Sequence, residues 1–472
     1  MADSTRRNPN IVFIMADDMG YGDPGCYGAT KIPTPNMDRM AGEGMRFTDA
    51  HSASAVCTPS RYGVMTGRYA WRTRLQSGVL WGYSEPLIEP GRMTVADMLR
   101  AGGYATGAFG KWHLGLGWQR TGEIEIERDE DGSNIDHAAP LADNPTTHGF
   151  DCYWGIAASL DMPPYCFIEN DHTVGVPSLD KDPYEAQQRK GLMVPGWRDD
   201  IVDVVHAQKT CEFMDRCQAE DPTRPFFVYL PTAAPHRPCV PPDFMEGASE
   251  AGPRGDMVAL YDWVVGQVMD TLDRHGIADD TLLIVTSDNG ARATCFDGND
   301  YGHRSCGDLR GQKADIWEGG HREPYLARWP GQVAAGSVCD ETIGLMDLMA
   351  TCADIVGADL PADAAEDSYS ILPALLGEEL REPIREATVH HSLSGMFSIR
   401  QGPWKLVRGL GSGGFSDPRR LDPEPGGPEG QLYDIERDPA ETVNLWQDEA
   451  ATVERMSGLL DRYINEGRSV ER

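Results

Sequence analysis

The sequence lacks any apolar run long enough to cross a lipid bilayer, which takes about 20 consecutive residues. The apolar run nearest the amino terminus covers only residues 11–15 and soon gives way to two aspartates. A secretory signal needs a longer apolar segment that ends in small residues at a cleavage site. We therefore expect a cytoplasmic protein without a membrane partner.

Basic residues are scarce. The chain has 42 lysines and arginines against 74 aspartates and glutamates, and its formal net charge is −32. Nucleic acids and anionic membranes attract a basic surface, so this balance argues against both as general partners. A local cluster of lysine, arginine or histidine is informative because it stands against an acidic background.

Closely spaced cysteine pairs of the kind that bind zinc are also absent. The eleven cysteines are an odd number, and no two of them are separated by only two residues. In a long chain without a secretion signal, such cysteines are more typical of reduced thiols than of a disulfide framework.

The sequence does contain short apolar runs separated by amphipathic segments. These runs cover residues 11–15, 105–109, 226–230 and 282–286. Apolar runs that alternate with helical patterns are typical of a buried parallel sheet. We predict an α/β fold, in which a large, mostly parallel or mixed sheet is flanked by helices on both faces.

Two helices can be predicted in detail. One begins at Thr94, where Asp97 completes a capping-box pattern, and ends at Gly102. A second helix covers residues 200–217, and its expected buried stripe is Ile201, Val204, Val205 and Phe213.

The pattern changes after about residue 375. The segments "ATVHHSLS", "MFSIRQG", "WKLVRGL" and "QLYDIE" predict short strands of an antiparallel sheet, and a helix over residues 449–466 follows. We predict a large domain over residues 1–375 and a smaller α+β subdomain over residues 376–472.

Oxygen-bearing side chains follow two of the predicted strands. Asp17 and Asp18 come after the first strand, and Asp288 and Asn289 come after the fourth. Each pair alone could be a solvated turn. Ligands of open parallel sheets bind at the carboxyl ends of the strands, where these pairs would meet. Four hard oxygen donors predict a Ca²⁺ or Mg²⁺ site.

Titratable side chains follow the other two strands. Lys111 and His113 come after the second strand, His236 follows the third in "PTAAPHRP", and Lys313 lies in "LRGQKADIWEGGHREP". Taken singly, Lys111 and His113 could lie in an exposed loop, His236 could belong to a rigid turn, and Lys313 could be an ordinary surface lysine.

Cys57 begins the segment "CTPSRYGVMTGR", which we interpret as a small turn. This segment resembles the signature of the type I sulfatases, the formylglycine-dependent branch of the alkaline phosphatase superfamily. The blocks "ADDMGYGD", "GKWHLG", "GIAAS", "PHRP", "SDNG", "LRGQKADIWEGGHREP" and "GPWKLV…QLYDIERDPAETVNL" resemble the family in the same order. The resemblance runs from residue 9 to about residue 446 and implies an alkaline phosphatase-like fold.

The resemblance implies that Cys57 is oxidised to Cα-formylglycine by a formylglycine-generating enzyme. One hydroxyl of the hydrated aldehyde would attack sulfur and displace the alcohol, and the other would then expel sulfate.

The resemblance also implies roles for the remaining site residues. Asp17, Asp18, Asp288 and Asn289 would bind one divalent cation, Ca²⁺ with Mg²⁺ as the alternative. Arg61 would hold the formylglycine and the metal-site carboxylates, and Lys111 and Lys313 would neutralise sulfate oxygens. His236 would be the general acid for the leaving alcohol, His113 would accept the second hydroxyl proton, and Ser159 would hydrogen-bond near the diol.

The implied substrate is an aryl, alkyl or sugar sulfate, either a small molecule or an oligosaccharide. Two other functions stay open: a formylglycine-dependent hydrolase of phosphonate or phosphate esters, and a non-catalytic binder of sulfated glycans. Candidates for shaping a substrate pocket are Trp81, Trp112, His303, Arg304, His321 and residues 411–430.

Overall fold

The computed structural model describes residues 8–122, 132–185, 187–292 and 298–470. The strands are β1 (Asn10–Asp17), β2 (Met45–His51), β3 (Ala105–Lys111), β4 (Cys152–Ile156), β5 (Ile168–Glu169), β6 (His172–Thr173), β7 (Leu179–Asp180), β8 (Leu192–Met193), β9 (Phe226–Pro235), β10 (Thr281–Ser287), β11 (Arg322–Arg328), β12 (Ser337–Cys339), β13 (Ile343–Gly344), β14 (Thr388–His391), β15 (Phe397–Gln401), β16 (Trp404–Val407) and β17 (Gln431–Asp434). The helices are α1 (Pro35–Glu43), α2 (Cys57–Thr66), α3 (Val95–Ala101), α4 (Val202–Glu220), α5 (Gly252–His275), α6 (Glu318–His321), α7 (Leu348–Val356), α8 (Leu372–Leu375) and α9 (Ala450–Glu466).

The large sheet has the strand order β12-β2-β11-β10-β1-β9-β3-β4-β5-β6, and β13 also pairs with β2. Its centre is parallel: β1 lies between β10 and β9, and β3 lies between β9 and β4. Antiparallel strands flank this centre at β11 and β5. The predicted mixed sheet with a parallel core is therefore confirmed.

Both faces of the sheet are covered by helices. Alternate residues of β1 belong to two different cores: Phe13 packs in the core that includes residues of α2, α3 and α7, and Ile14 packs in the core that includes residues of α1, α4 and α5. Since side chains alternate across a strand, a strand buried on both faces must be apolar throughout, which explains the continuous apolar runs.

The predicted start of α3 is confirmed in atomic detail. The backbone N–H of Asp97 donates to Thr94 Oγ1 at 3.0 Å, and the backbone N–H of Thr94 donates to Asp97 Oδ2 at 3.1 Å. These reciprocal bonds satisfy two backbone donors that would otherwise lack partners at a helix start.

The predicted buried stripe of α4 is partly wrong. Phe213 is buried, but Val204 and Val205 are only half-buried, and the buried face instead carries Asp203 and His206. The reason is a long-range contact, because the Asp203 carboxylate accepts two backbone N–H bonds from β9 and must therefore face the sheet.

The four predicted C-terminal strands form an antiparallel sheet, β14-β15-β16-β17, and α9 follows at the predicted place. This sheet is tied to the large one by a buried ion cluster, in which Lys405 Nζ lies 3.0 Å from both Glu318 Oε1 and Glu441 Oε1. Among the described helices, none combines the length and the apolar character that a bilayer span requires.

Candidate active site

The polar residues after the parallel strands meet at one edge of the sheet, as predicted. Strand β1 ends at Asp17 and β3 ends at Lys111. Strand β9 runs longer than expected and ends at Pro235, directly before His236, and Asp288 directly follows β10. Because these strands are parallel neighbours, their carboxyl ends open into the same crevice.

Two residues at this edge have left-handed backbone conformations. Asp18 has φ of 71° and His113 has φ of 56°. Residues other than glycine rarely adopt such angles, and when they do the surrounding structure must hold them there. The backbone thus leaves the regular strand conformation at both positions.

Cys57 is the first residue of α2, so the interpretation of its surroundings as a turn was wrong. Pro59 lies in the first turn of the helix, where its missing N–H costs no helical hydrogen bond. The thiol is buried, which raises its pKa, although the charges of Lys111 and Lys313 act in the opposite direction. Cys57 therefore lies near two lysines as well as near the carboxylates of Asp17 and Asp288.

Arg61 lies one helical turn after Cys57 and is completely buried. Its Nε and Nη2 atoms donate to Asp288 Oδ2 at 3.0 and 2.6 Å, and Nη1 donates to the Lys111 carbonyl at 3.1 Å. A guanidinium group with three such hydrogen bonds fixes α2 against the ends of β10 and β3.

Oxygen atoms at the ends of β1 and β10 are arranged for a hard cation. Asn289 Nδ2 donates to Asp18 Oδ1 at 2.7 Å, and the Asp18 N–H donates to Asp288 Oδ1 at 3.2 Å. Asp17 Oδ1 and Asn289 Oδ1 are buried and make no hydrogen bond to any described residue. Buried polar atoms normally have partners, so these oxygens fit the ligand set of a Ca²⁺ or Mg²⁺ ion.

The same oxygens lie close to Cys57. Ligand atoms of Asp17, Asp288 and Cys57 all lie within 4.8 Å of one another, and so do those of Asp17, Asp18 and His236. A cation held by these carboxylates would therefore adjoin both the Cys57 side chain and the His236 ring.

Two lysines neutralise the carboxylates of this site. Lys111 Nζ lies 2.5 Å from Asp17 Oδ2, and Lys313 Nζ lies 2.6 Å from Asp18 Oδ1. Burial alone would raise the pKa of Asp17, but the charges of Lys111, His236 and Arg61 outweigh it and hold the pKa well below its usual range. Both lysines are buried at the same edge of the sheet.

His113 is buried in a defined tautomeric state. Its Nε2–H donates to the Leu80 carbonyl at 2.7 Å, and its Nδ1 makes no hydrogen bond within the described residues. Burial and the charge of Lys111 hold the pKa of the ring well below its ordinary value. The neutral ring therefore presents Nδ1 as a proton acceptor.

His236 is held by the backbone on one side. Its Nδ1–H donates to the Arg237 carbonyl at 2.8 Å, and its Nε2 lies 3.6 Å from Asp18 Oδ2. The ring thus directs Nε2 toward the carboxylates of the site. Ser159 lies in the loop after β4, and its buried hydroxyl makes no hydrogen bond to a described residue, so no contact with Cys57 supports its predicted role.

Two aspartates that the sequence analysis did not single out support the site. Asp203 accepts the N–H groups of Ala233 and Ala234 at 2.8 and 2.7 Å, which fixes the segment before His236. Asp161 Oδ1 lies 3.9 Å from His236 Nδ1. The available signal for Asp161 was its position two residues after Ser159, just beyond the block "GIAAS".

The pocket candidates have different surroundings. Trp112 is packed in the core, His303 contacts buried Asp23, and Arg304 is exposed. Trp81 is half-buried, and the Arg189 guanidinium lies 4.1 Å from its ring centroid. Trp81 is therefore the tryptophan of this set that retains a solvent-accessible surface.

His321 belongs to a separate buried group with His51 and His390. The rings of His321 and His390 stack with a centroid distance of 3.9 Å and an interplanar angle of 10°. Nitrogen lone pairs in parallel planes do not converge on one ion, so we interpret this group as structural.

Comparison with known proteins agrees with this geometry. Residues 9–358 match the family described as Sulfatase. The chain is 35% identical to an N-acetylgalactosamine-6-O-sulfatase of Bacteroides thetaiotaomicron, over 96% of this chain and 93% of that protein. It is 34% identical to human arylsulfatase A, over 93% of this chain and 83% of that protein.

A solved structure shows the same architecture over the whole length. It is a sulfatase from a core genetic locus for glycosaminoglycan metabolism in Bacteroides thetaiotaomicron, with a TM-score of 0.83 and 32% identity, covering 97% of this chain and 99% of that one. The structure of a protein bound to its substrate D-glucosamine-2-N,6-O-disulfate, at 19% identity and a TM-score of 0.64, shares the fold. The chain belongs to the sulfatase family, whose members hydrolyse sulfate esters.

Proposed function

We propose that this sulfatase acts on a sugar, and that its substrate class is the 6-O-sulfated N-acetylhexosamine, as a free sugar or at the end of an oligosaccharide. The observation that carries the proposal is the gathering of three buried basic side chains, Arg61, Lys111 and Lys313, near Cys57 in a chain of net charge −32. The similarity to an N-acetylgalactosamine-6-O-sulfatase supports the choice of sugar.

We infer that Cys57 is converted to Cα-formylglycine by a formylglycine-generating enzyme that binds the chain transiently. The hydrated aldehyde supplies two hydroxyl groups on one carbon, so that one can displace the alcohol from sulfur and the other can release sulfate as the aldehyde re-forms. A single serine hydroxyl at this position would have no such release step.

The basic side chains bind the sulfate group. Lys111 and Lys313 neutralise its oxygens from two sides, which is electrostatic stabilisation by groups already in position. Arg61 acts through Asp288 and α2, because its three hydrogen bonds hold the reacting residue against the ends of the strands.

The two histidines transfer protons in two different steps of the reaction. His236 directs Nε2 into the site and protonates the leaving sugar oxygen. His113 Nδ1, the unpartnered acceptor of a neutral ring, takes the proton when sulfate is released.

We further propose that the cation is Ca²⁺, held by Asp17, Asp18, Asp288 and Asn289. Three carboxylates and one amide form an all-oxygen ligand set, and the unpartnered oxygens of Asp17 and Asn289 support it. When bound, the cation would polarise the sulfate oxygens and lower the pKa of the attacking hydroxyl.

The test is a comparison of kcat/KM on N-acetylgalactosamine 6-sulfate, its 4-sulfate isomer, nitrophenyl sulfate and an aryl phosphonate monoester. We expect the 6-sulfate to give the highest value and Lys313→Ala to reduce kcat/KM on every sulfate ester. Faster turnover of the phosphonate would identify a phosphonate hydrolase instead. Binding of sulfated sugars without turnover, in protein with modified Cys57, would identify a non-catalytic binder.

A further inference from the structure

A carboxylate outside the predicted catalytic set lies beside His236. Asp161 is buried, and its Oδ2 accepts hydrogen bonds from Arg189 Nη1 at 2.8 Å and Arg237 Nε at 3.2 Å. Its Oδ1 makes no hydrogen bond to a described residue and lies 3.9 Å from His236 Nδ1. One oxygen of Asp161 is thus fixed by two arginines, and the other is left open beside the general acid.

The residues around Asp161 extend from the buried site toward the protein surface. The side chains of Arg189 and Arg237 are 27% and 22% exposed, against 1% for Asp161. The Arg189 guanidinium in turn lies 4.1 Å from the ring centroid of half-buried Trp81. We call Asp161, Arg189, Arg237 and Trp81 the Asp161 subsite. It combines a buried acceptor, two cations and an aromatic ring on the side from which a leaving alcohol would depart.

A buried carboxylate oxygen without a donor is costly in the free enzyme, so it indicates a partner that the substrate brings. The partner must be a donor, because Oδ1 can only accept. Since His236 faces the leaving oxygen under the proposed function, a hydroxyl on the same sugar, close to the ester, is the group within reach.

We propose that the Asp161 subsite binds the ring hydroxyl of the substrate nearest the sulfate ester, the C4 hydroxyl of a 6-sulfated N-acetylhexosamine, and thereby selects sugar sulfates over aryl sulfates. This inference rests on the proposed function. Arg189 and Arg237 hold the carboxylate in a fixed plane, so that Oδ1 is aimed before the substrate arrives. A site built to hydrogen-bond a hydroxyl discriminates strongly against an analogue that lacks it.

The experiment compares Asp161→Ala with wild type on three substrates: N-acetylgalactosamine 6-sulfate, its deoxy analogue without the hydroxyl nearest the ester, and nitrophenyl sulfate. For Asp161→Ala we expect kcat/KM on the intact sugar to fall by about 10²-fold or more, with a much smaller loss on the other two. The deoxy analogue should already be poor with wild type, so the two changes should not be additive.

Asp367 offers a matched control outside the site. It is also a buried aspartate paired with an arginine, since Arg72 Nη2 lies 2.8 Å from its Oδ1. Asp367→Asn should leave the ratio of sugar to nitrophenyl activity unchanged. If Asp161→Ala does not fold, Arg189→Gln replaces it, because this half-buried side chain also fixes the carboxylate and should raise KM for the intact sugar selectively.

Equal losses on the intact sugar and on its deoxy analogue would overturn the inference, because Asp161 would then act through His236 or the fold and not on the hydroxyl. The proposed function would still stand in that case, since wild type would hydrolyse the sugar sulfate. Absence of wild-type turnover on every sulfate ester would instead overturn the proposed function.

Discussion

Thr58 and His113 hold the two backbone polar groups of a single residue, Leu80. The Leu80 N–H donates to Thr58 Oγ1 at 3.1 Å, and the Leu80 carbonyl accepts the His113 Nε2–H at 2.7 Å. The residue directly after Cys57 therefore fixes the loop that sets the tautomer of His113. This contact gives a physical reason for a threonine at position 58, which the helix α2 itself does not require.

Replacement of Thr58 tests this relationship. Thr58→Ala leaves the buried Leu80 N–H without a partner, so we expect the free energy of unfolding to fall by about 1–3 kcal/mol and kcat to fall with it. Thr58→Ser keeps the hydroxyl and should retain both. Urea unfolding and kcat are the measurements, and the mass of the Cys57 peptide checks that modification is unchanged. If the serine variant behaves like the alanine variant, the hydroxyl has no such role.

Mass spectrometry tests the proposed modification of Cys57. Protein made together with an active modifying enzyme should show a loss of about 18 Da at this residue, the difference between a CH₂SH and a CHO group. Cys57→Ser should be inactive or should accumulate as a sulfate ester. Full activity in protein that carries only unmodified cysteine would rule out the proposed mechanism.

Removal of the cation should abolish activity. Chelation is expected to stop turnover and Ca²⁺ to restore it, because the buried Oδ1 atoms of Asp17 and Asn289 make no hydrogen bond to a described residue. A structure with calcium should show the four ligand residues about 2.3–2.6 Å from the ion. Asn289→Leu, which has a similar volume and no ligand atom, should weaken calcium binding by titration calorimetry. Undiminished activity after exhaustive chelation would contradict this assignment.

The two proposed contacts to sulfate and leaving group can be separated by substrate choice. A sugar alkoxide needs a proton to depart, and a nitrophenolate hardly does. His236→Ala should therefore cost most of the roughly 10²–10⁴-fold that a general acid contributes on the sugar sulfate, and much less on nitrophenyl sulfate. Lys313→Ala should reduce kcat/KM on both alike. Equal effects of His236→Ala on the two substrates would mean that His236 binds sulfate instead.

The buried ion cluster predicts that the C-terminal sheet stabilises the whole protein. Lys405→Met leaves Glu318 and Glu441 without their shared cation, and breaking a buried pair costs about 3–5 kcal/mol in the free energy of unfolding. Adding Glu441→Gln should recover part of this loss, because Glu441 then no longer carries a buried unpaired charge, whereas Glu318 keeps its ion pairs with Arg322 and Arg400. Urea unfolding of both variants measures this, and a double variant no more stable than the single one would argue against the cluster.

The features that could be predicted from the sequence are those decided by neighbouring residues. The capping of α3 depends on Thr94 and Asp97, which are three residues apart, and the predicted bonds are present. The strand ends follow from apolar runs bounded by polar residues. Parallel pairing then brings Asp17 and Asp288 together without further information.

The features that could not be predicted depend on contacts between distant residues. Asp203 is buried because its carboxylate accepts hydrogen bonds from the backbone of Ala233 and Ala234. These residues lie about 30 positions away in the sequence, so the helical pattern around Asp203 does not reveal the contact. The position of the Asp161 carboxylate likewise depends on hydrogen bonds from Arg189 and Arg237, which lie in two different loops. For the same reason, the hydrophobic pattern alone gave a partly wrong prediction of the buried face of α4.

The complete burial of α2 has a consequence for how active enzyme is made. All ten of its residues are buried in the folded protein, so under the proposed modification a modifying enzyme would reach Cys57 only while the chain is unfolded. Oxidation and folding would then compete for the same nascent chain, and the outcome would be fixed once for each molecule. Rapid synthesis would leave a fraction of permanently inactive protein that later treatment cannot rescue. Slower synthesis would raise the active fraction without changing the turnover rate of any active molecule.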